Sequence, residues 1–187
     1  MIKFKHLPVT NMDIKKINSP FGMRIHPITK VRKLHEGIDY PAPSGTPVHA
    51  VVDGKVTVSK MQDNRKGYGN YILIDHGDYD TIYAHLSARK VSAGQTVKAG
   101  DIIGLVGSTG DSTGAHLHFG LCGAFNKRDW MDPLPYLKTI GGRDMTVDEA
   151  KKIVKEKAGL DDKSVDYLAS DYKYGKELII KLAQAMN

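Results

Sequence analysis

Between residues 47 and 122 the chain is a train of short apolar segments, each closed by a glycine or aspartate turn, and no long helical pattern interrupts them. Segments of this length bury their apolar sides only by pairing with one another, so the pattern predicts an antiparallel β sandwich or barrel. Val48, Ala50 and Val52 alternate in PVHAVVD, and Val56 and Val58 alternate in GKVTVSK. Asp53-Gly54 between them is a hairpin signal. GYGNYILIDHG is a β-branched and aromatic run bounded by glycines, and DYDTIYAHLS follows it across a turn at Asp78 to Asp80. QTVKAGDIIGLVG holds two short strands around Ala99-Gly100-Asp101. AHLHFGLC alternates strictly, with His116, His118 and Gly120 on one face and Leu117, Phe119 and Leu121 on the other.

A second regime begins between residues 138 and 143, with Gly141-Gly142 as the joint. Of 19 glycines 15 precede residue 140, and all 8 histidines lie between His6 and His118. Residues 1–140 carry 18 basic and 12 acidic side chains, whereas 141–187 carry 9 of each, so the whole net charge of +6 belongs to the front part. The chain therefore divides into a β domain over 1–140 and a small helical module over 143–187. In the tail, Thr146 followed by Glu149 is a capping-box pattern. Val147, Ala150, Ile153, Val154 and Ala158 recur at helical spacing, and Gly159 stands where a C-terminal glycine cap belongs. A second helix is expected from Asp161 or Asp162, with an interruption at Tyr174-Gly175. Leu178, Ile179, Leu182, Ala183 and Met186 form the stripe of a last helix. Helices this short are not stable alone in water, so they must pack on each other, on the β part or on a partner.

Several classes drop out. One cysteine, Cys122, leaves no disulfide framework and no Cys-rich zinc finger, and it reads as a small buried apolar residue. No apolar run reaches the ~18–20 residues that span a bilayer. MIKFKHLPVTNMDIKK has charges but no apolar stretch behind them, so no cleaved secretory signal is expected. The run STGDSTG lacks the Lys-Ser/Thr end of a phosphate loop and reads as a flexible turn before the His116 strand. VSAGQTVKAGDIIG has the rhythm of lipoyl and biotinyl carriers but lacks their lysine motif.

The histidines carry the chemistry. His116 and His118, two apart on a strand, present two imidazoles together, both to a metal or one to a metal and one to a substrate. In extended His35-Glu36-Gly37-Ile38-Asp39, positions 35, 37 and 39 share a face. Glycine at the middle leaves room for a cation between His35 and Asp39, and imidazole with carboxylate suits zinc. Glu36 then points the other way and has no claim to a general-base role. Alternation places Tyr83 and His85 on one face of a strand. His6, His26, His49 and His76 read as surface or core residues, His76 as an aid to its hairpin turn.

These segments together resemble the lysostaphin-type, LytM-like zinc endopeptidases that cut peptidoglycan peptides. The likeness runs through SPFGMRIHPITKVRKLHEGIDYPAPSGTPVHAVVDGKV, GYGNYILIDHG, TIYAHLS and VSAGQTVKAGDIIGLVGSTGDSTGAHLHF, nearly all of residues 19 to 119. It implies zinc held by His35, Asp39 and His118, catalytic roles for His116 and His85, and a compact antiparallel β fold with a groove along its face. The departures are Ala115, where proline or serine is common, and Gly120, where glutamate is common; neither removes a ligand or a catalytic group.

Three protein ligands leave a zinc position open, the pattern of a catalytic site. On this reading His116 is the general base, and His85 orients His116 or stabilises the tetrahedral intermediate. Asn70 and Tyr83 are the substrate-binding candidates. The expected partner is bacterial peptidoglycan, with anionic wall polymers attracted by the basic front part. The Lys and Arg residues are scattered and no nucleic-acid motif is present, so nucleic acid is not a partner. With no signal, the expected setting is a phage or prophage lysin made in the cytoplasm, acting at the cell wall after release by a holin or on a virion. The tail is expected to bind wall, virion or itself. The alternative is a non-catalytic wall-binding or hydrolase-activating module of the same fold, which the presence of all five site residues disfavours.

Overall fold

The computed structural model describes residues 2–27, 29–62, 66–123, 129–141, 147–170, 179, 182, 183 and 186. The chain separates into two compact units, Met1–Gly142 and Arg143–Asn187. The first holds the strands β1 (Gly22–Ile25), β2 (Arg32–His35), β3 (Ile38–Pro41), β4 (Pro47–His49), β5 (Gly54–Met61), β6 (Asn70–Asp75), β7 (Tyr79–Ala84), β8 (Ala88–Arg89), β9 (Thr96–Val97), β10 (Ile102–Leu105), β11 (His116–Gly123) and β12 (Trp130–Met131). Every pairing among them is antiparallel. A seven-stranded sheet runs β12-β11-β7-β6-β5-β9 with β3 also paired to β11, a three-stranded sheet runs β4-β10-β8, and β1-β2 form a hairpin. The antiparallel β class with a helical C-terminal part is thus the observed one.

The hairpin expected at Asp53-Gly54 is not formed. β4 pairs with β10, while β5 pairs with β6 and β9, so Asp53-Gly54 is a corner between two sheets. The reason is competition for the backbone groups around it. Ala50 N–H donates to Asp101 and its carbonyl accepts from Gly100, while the Val51 carbonyl accepts from Lys5 and His6. β9 and β10 likewise pair with other strands rather than with each other.

The core lies between the sheets and is built from the alternating apolar positions. Val48, Val56, Ile72, Ile74, Ile103, Leu117, Phe119 and Leu121 are all fully buried, each contributing about 1.5–3 kcal/mol of transfer free energy if large. Phe4 meets Phe119 edge to face at 5.7 Å and so ties the N-terminal segment to β11. A helix not expected from the pattern, α1 (Leu134–Gly141), is capped by Asp132, which accepts from Leu134 N at 2.9 Å. It buries Leu137 in the same core. β11 is buried on both faces from Leu117 to Cys122, so its polar face is covered rather than open. Cys122 is among the buried residues, and burial pushes its thiol up to about 12.

The second unit holds α2 (Val147–Ala158) and α3 (Asp162–Ser170). Val154, Val165, Ala169, Ile179 and Ala183 form its own small core. Gly159 ends α2 at φ 67°, its N–H donating to Lys155 O, and Asp161 accepts from Ser164 N at 2.7 Å at the start of α3. Thr146, Tyr174-Gly175 and Leu178 lie outside the described residues.

Candidate active site and metal centre

β11 is the spine of the site. On one side its register sets His118 opposite Asp39 of β3, and on the other opposite Ala84 at the end of β7. Asp39 also bridges to Ser19, and Gly22 of β1 pairs with His35 of β2. Cross-strand neighbours of this kind bring side chains within contact distance without any further device.

His35 and Asp39 do converge, but not along one extended strand. The chain breaks at Glu36-Gly37 between β2 and β3, which belong to different sheets. Gly37 is needed for packing rather than for cation room. A Cβ there would lie 2.4 Å from the Phe119 carbonyl oxygen and 3.0 Å from Gly120 Cα.

The three expected ligands meet within hydrogen-bond distance. His35 Nε2 lies 3.1 Å from Asp39 Oδ1 and 3.1 Å from His118 Nδ1, and His118 Nδ1 lies 2.9 Å from Asp39 Oδ1. All three side chains are buried. His35 Nδ1 donates to the Pro20 carbonyl at 2.8 Å, which leaves a lone pair on Nε2 in the neutral ring. A single proton on His118 Nδ1 can satisfy only one of the three contacts. A divalent cation satisfies all of them at once, and the donor set of two imidazoles and one carboxylate fits zinc. His118 Nε2 is a buried atom with no hydrogen-bond partner among the described residues. Burial acts to raise the Asp39 carboxyl, but hydrogen bonds and charge from His118 and His35 outweigh it and hold the group well below the usual carboxylate range. Burial lowers His118, against the pull of Asp39.

Beside the triad stand the other two expected histidines, His85 and His116, with ring centroids 4.7 Å apart. His116 Nδ1 donates to the Gly114 carbonyl at 2.7 Å and His85 Nδ1 to the Thr109 carbonyl at 2.8 Å. A carbonyl only accepts, so both rings carry a proton on Nδ1, and in the neutral ring that leaves Nε2 as a lone pair. His116 Nε2 is 3.7 Å from Asp39 Oδ1. Burial, followed by the neighbouring His118 and His116, lowers His85 to about 4. The loop expected to be a flexible turn thus supplies the carbonyls that fix both tautomers. Thr109 is itself bonded to Asn70 N and the Leu86 carbonyl, and Gly110, at φ 74°, packs directly on Gly67 and Gly69.

The substrate-binding candidates fall elsewhere. Tyr83 does not share a face with His85: β7 ends at Ala84, and His85 has φ 62°, so its ring turns out of the strand's alternation and into the site. Tyr83 is fully buried in the core, its hydroxyl accepting from Val51 N at 3.0 Å. The Asn70 side chain donates to the Leu86 carbonyl at 3.2 Å, so it braces the segment after His85 and does not line the groove.

The groove itself, of about 330 Å³, is lined also by Tyr68, Glu36, Arg24, Asp111 and His26. Tyr68 donates its hydroxyl to Glu36, and its ring lies 5.6 Å from that of His118. Burial, and then Glu36, raise the Tyr68 hydroxyl far above the ordinary phenol range. Glu36 faces the groove because the strand breaks beside it, so the extended-strand argument gave it the wrong side. The sequence reading passed over Tyr68, although it stands in GYGN at the head of one of the resembling stretches. His49 and His76 keep structural roles, donating from Nδ1 to Gly100 O and Asp53 O.

Peptidase family M23 matches residues 33–133, more than half of the chain. The "DD-carboxypeptidase/endopeptidase Mpg" of Neisseria meningitidis serogroup B is 51% identical over 105 residues, 56% of this chain and 24% of that protein. The "Peptidoglycan DD-endopeptidase ShyC" of Vibrio cholerae is 39% identical over 135 residues, 71% of this chain and 30% of that protein. The chain therefore spans a quarter to a third of the length of these relatives. Among solved structures, the catalytic domain of the antimicrobial peptidase lysostaphin from Staphylococcus simulans superposes with a TM-score of 0.59 at 36% identity, covering 66% of this chain and 92% of that one. The matched stretch contains all five converging side chains, and on that ground the chain belongs to Peptidase family M23.

Proposed function

We propose that the chain is a zinc-dependent endopeptidase that hydrolyses peptide bonds in the stem or cross-bridge peptides of bacterial peptidoglycan. One observation carries the reading: three ligand atoms converge in a groove beside two histidines whose Nδ1 atoms are both held by backbone carbonyls. His35, Asp39 and His118 would hold the metal. Zinc bound there supplies a Lewis acid for the scissile carbonyl and lowers the pKa of a coordinated water toward about 7.

The chain's own part is proton traffic and orientation. His116 Nε2, nearest the ligand Asp39, takes the proton of the attacking water and returns it to the leaving amine. The Gly114 carbonyl keeps the ring turned for that exchange and steadies the imidazolium that forms. In neutral His85, Nε2 can only accept, so this residue receives a hydrogen bond from the substrate or from protonated His116. General acid–base assistance of this kind contributes about 10²–10⁴-fold. Peptidoglycan as substrate is supported by the likeness to ShyC and by the basic β part, which suits an anionic wall.

Mass spectrometry of purified peptidoglycan after digestion tests the proposal, with a chelated sample and His116→Ala as controls. New fragments with free amines, absent from both controls, are the expected result and identify the bond. Muropeptides left intact from several wall types would overturn it in favour of a wall-binding module. The lysin setting, of phage or prophage origin, is a further part of the proposal, supported by the likeness to the prophage-encoded M23 protein EnpA from Enterococcus faecalis, at 32% identity and a TM-score of 0.56. Its test is clearing of permeabilised cells by protein added from outside; cells that stay turbid while the purified wall is cut would exclude it.

A further inference from the structure

We infer that Arg24 is a positioning residue for the metal ligand Asp39: its guanidinium holds Oδ2 so that only Oδ1 faces His35 and His118. The inference rests on the metal-centre reading above and goes beyond it by adding a residue from outside the ligand and histidine set.

Arg24 Nη2 lies 3.3 Å from Asp39 Oδ2, and Oδ2 has no other hydrogen bond among the described residues. Oδ1 is the oxygen that meets His35 Nε2, His118 Nδ1 and, at 3.7 Å, His116 Nε2. The two oxygens of one carboxylate are thus divided between two jobs. The hairpin that carries Arg24 is fixed to the site by register, Gly22 opposite His35 and Arg24 opposite Lys33. Arg24 therefore reaches Asp39 from a strand anchored at another ligand. Its side chain is 30% exposed and that of Asp39 13%, so solvent screens the pair less than it would a surface salt bridge.

A carboxylate with one free oxygen can turn and offer both oxygens to a metal. The second would occupy coordination space that a substrate carbonyl or water needs. A guanidinium on Oδ2 prevents this, and partners of this kind set both the orientation of a ligand and its donor strength. Arginine suits the task because its charge is permanent and its donors are held in a rigid fork.

Co2+ titrated into the metal-free full chain tests this through the visible spectrum, which weakens as coordination number rises. The expected result is a spectrum for Arg24→Met that is weaker and shifted from wild type, one for Arg24→Lys that lies closer to wild type, and a kcat on peptidoglycan lowered about tenfold or more with KM little changed. Arg24→Gln is the second variant should Arg24→Met not fold, far-UV circular dichroism of the metal-free proteins being the control. A spectrum identical to wild type overturns the inference whatever the kinetics; if KM rises at the same time, Arg24 is a substrate contact instead. Wild-type protein that takes up no Co2+ would fail the metal-centre reading itself, a result distinct from either.

Discussion

His85 is held at φ 62°, where a residue bearing a Cβ is strained by about 1–2 kcal/mol. Two carbonyl partners keep it there, its Nδ1 on Thr109 O and its own backbone N–H on Tyr68 O. Strain at a residue facing a groove is expected where the fold fixes a functional side chain at a cost in stability. His85→Gly should therefore melt about 2–4 °C above His85→Ala, while both lose at least about tenfold in turnover. Equal melting temperatures would show that the backbone there is unstrained. A different histidine sets a pH dependence of stability. Burial lowers His76, whose ring joins Asp53 O to the Thr81 hydroxyl. A lowered value means that the unfolded chain binds the proton more readily, so stability is whole above about pH 6.5 and falls as the pH drops from there toward the folded value. His76→Gln should show a smaller loss of melting temperature between pH 7 and pH 5.5 than wild type. A loss of the same size would assign the acid sensitivity to other groups.

The strands teach where alternation can be trusted. Within β11 it placed His116 and His118 together correctly, because both lie inside one continuous strand. Across a strand end it failed twice. Glu36 and Gly37 sit between β2 and β3, and His85 follows the end of β7, so period two no longer says which way a side chain points. A related limit misplaced the hairpin at Asp53-Gly54, since an Asp-Gly pair signals a turn but not which strands the turn joins. The joint at Gly37 also yields a prediction for its two strands. Gly37→Ala would press a methyl onto the backbone of β11 at Phe119, which cannot move without disturbing the pairing of β11 with β3 and β7. Denaturant unfolding should show a loss of about 1–3 kcal/mol or more, with weaker metal binding, because His35 and Asp39 flank the displaced residue. An unaltered unfolding midpoint would show that the contact is loose.

At the scale of the molecule, the hairpin β1-β2 and the large sheet meet at one groove, and the helical unit Arg143–Asn187 has a core of its own. Four of the five converging side chains were legible because the information is local: HEGID and HLH each put two groups within five residues, and the resemblance joined them to His85. The supporting parts were not. Arg24 on Asp39, Tyr68 on Glu36 and Thr109 on His85 are separated by 15, 32 and 24 residues, and only strands and loops folded against one another bring them together. α2 and α3 were legible from their spacing and from Gly159 and Asp161 at their ends, whereas α1 was hidden by its short length and by Pro135 in its first turn. The proposed division of labour makes His35, Asp39 and His118 the ligands, His116 the proton carrier and His85 a hydrogen-bond acceptor beside it. Zinc content per chain, measured with turnover on the same samples of wild type, Asp39→Ala and His116→Ala, tests it most directly. One zinc and full activity are expected in wild type, no zinc and no activity in Asp39→Ala, and one zinc with turnover reduced about 10²–10⁴-fold in His116→Ala. Zinc retained in Asp39→Ala, or lost in His116→Ala, would contradict it.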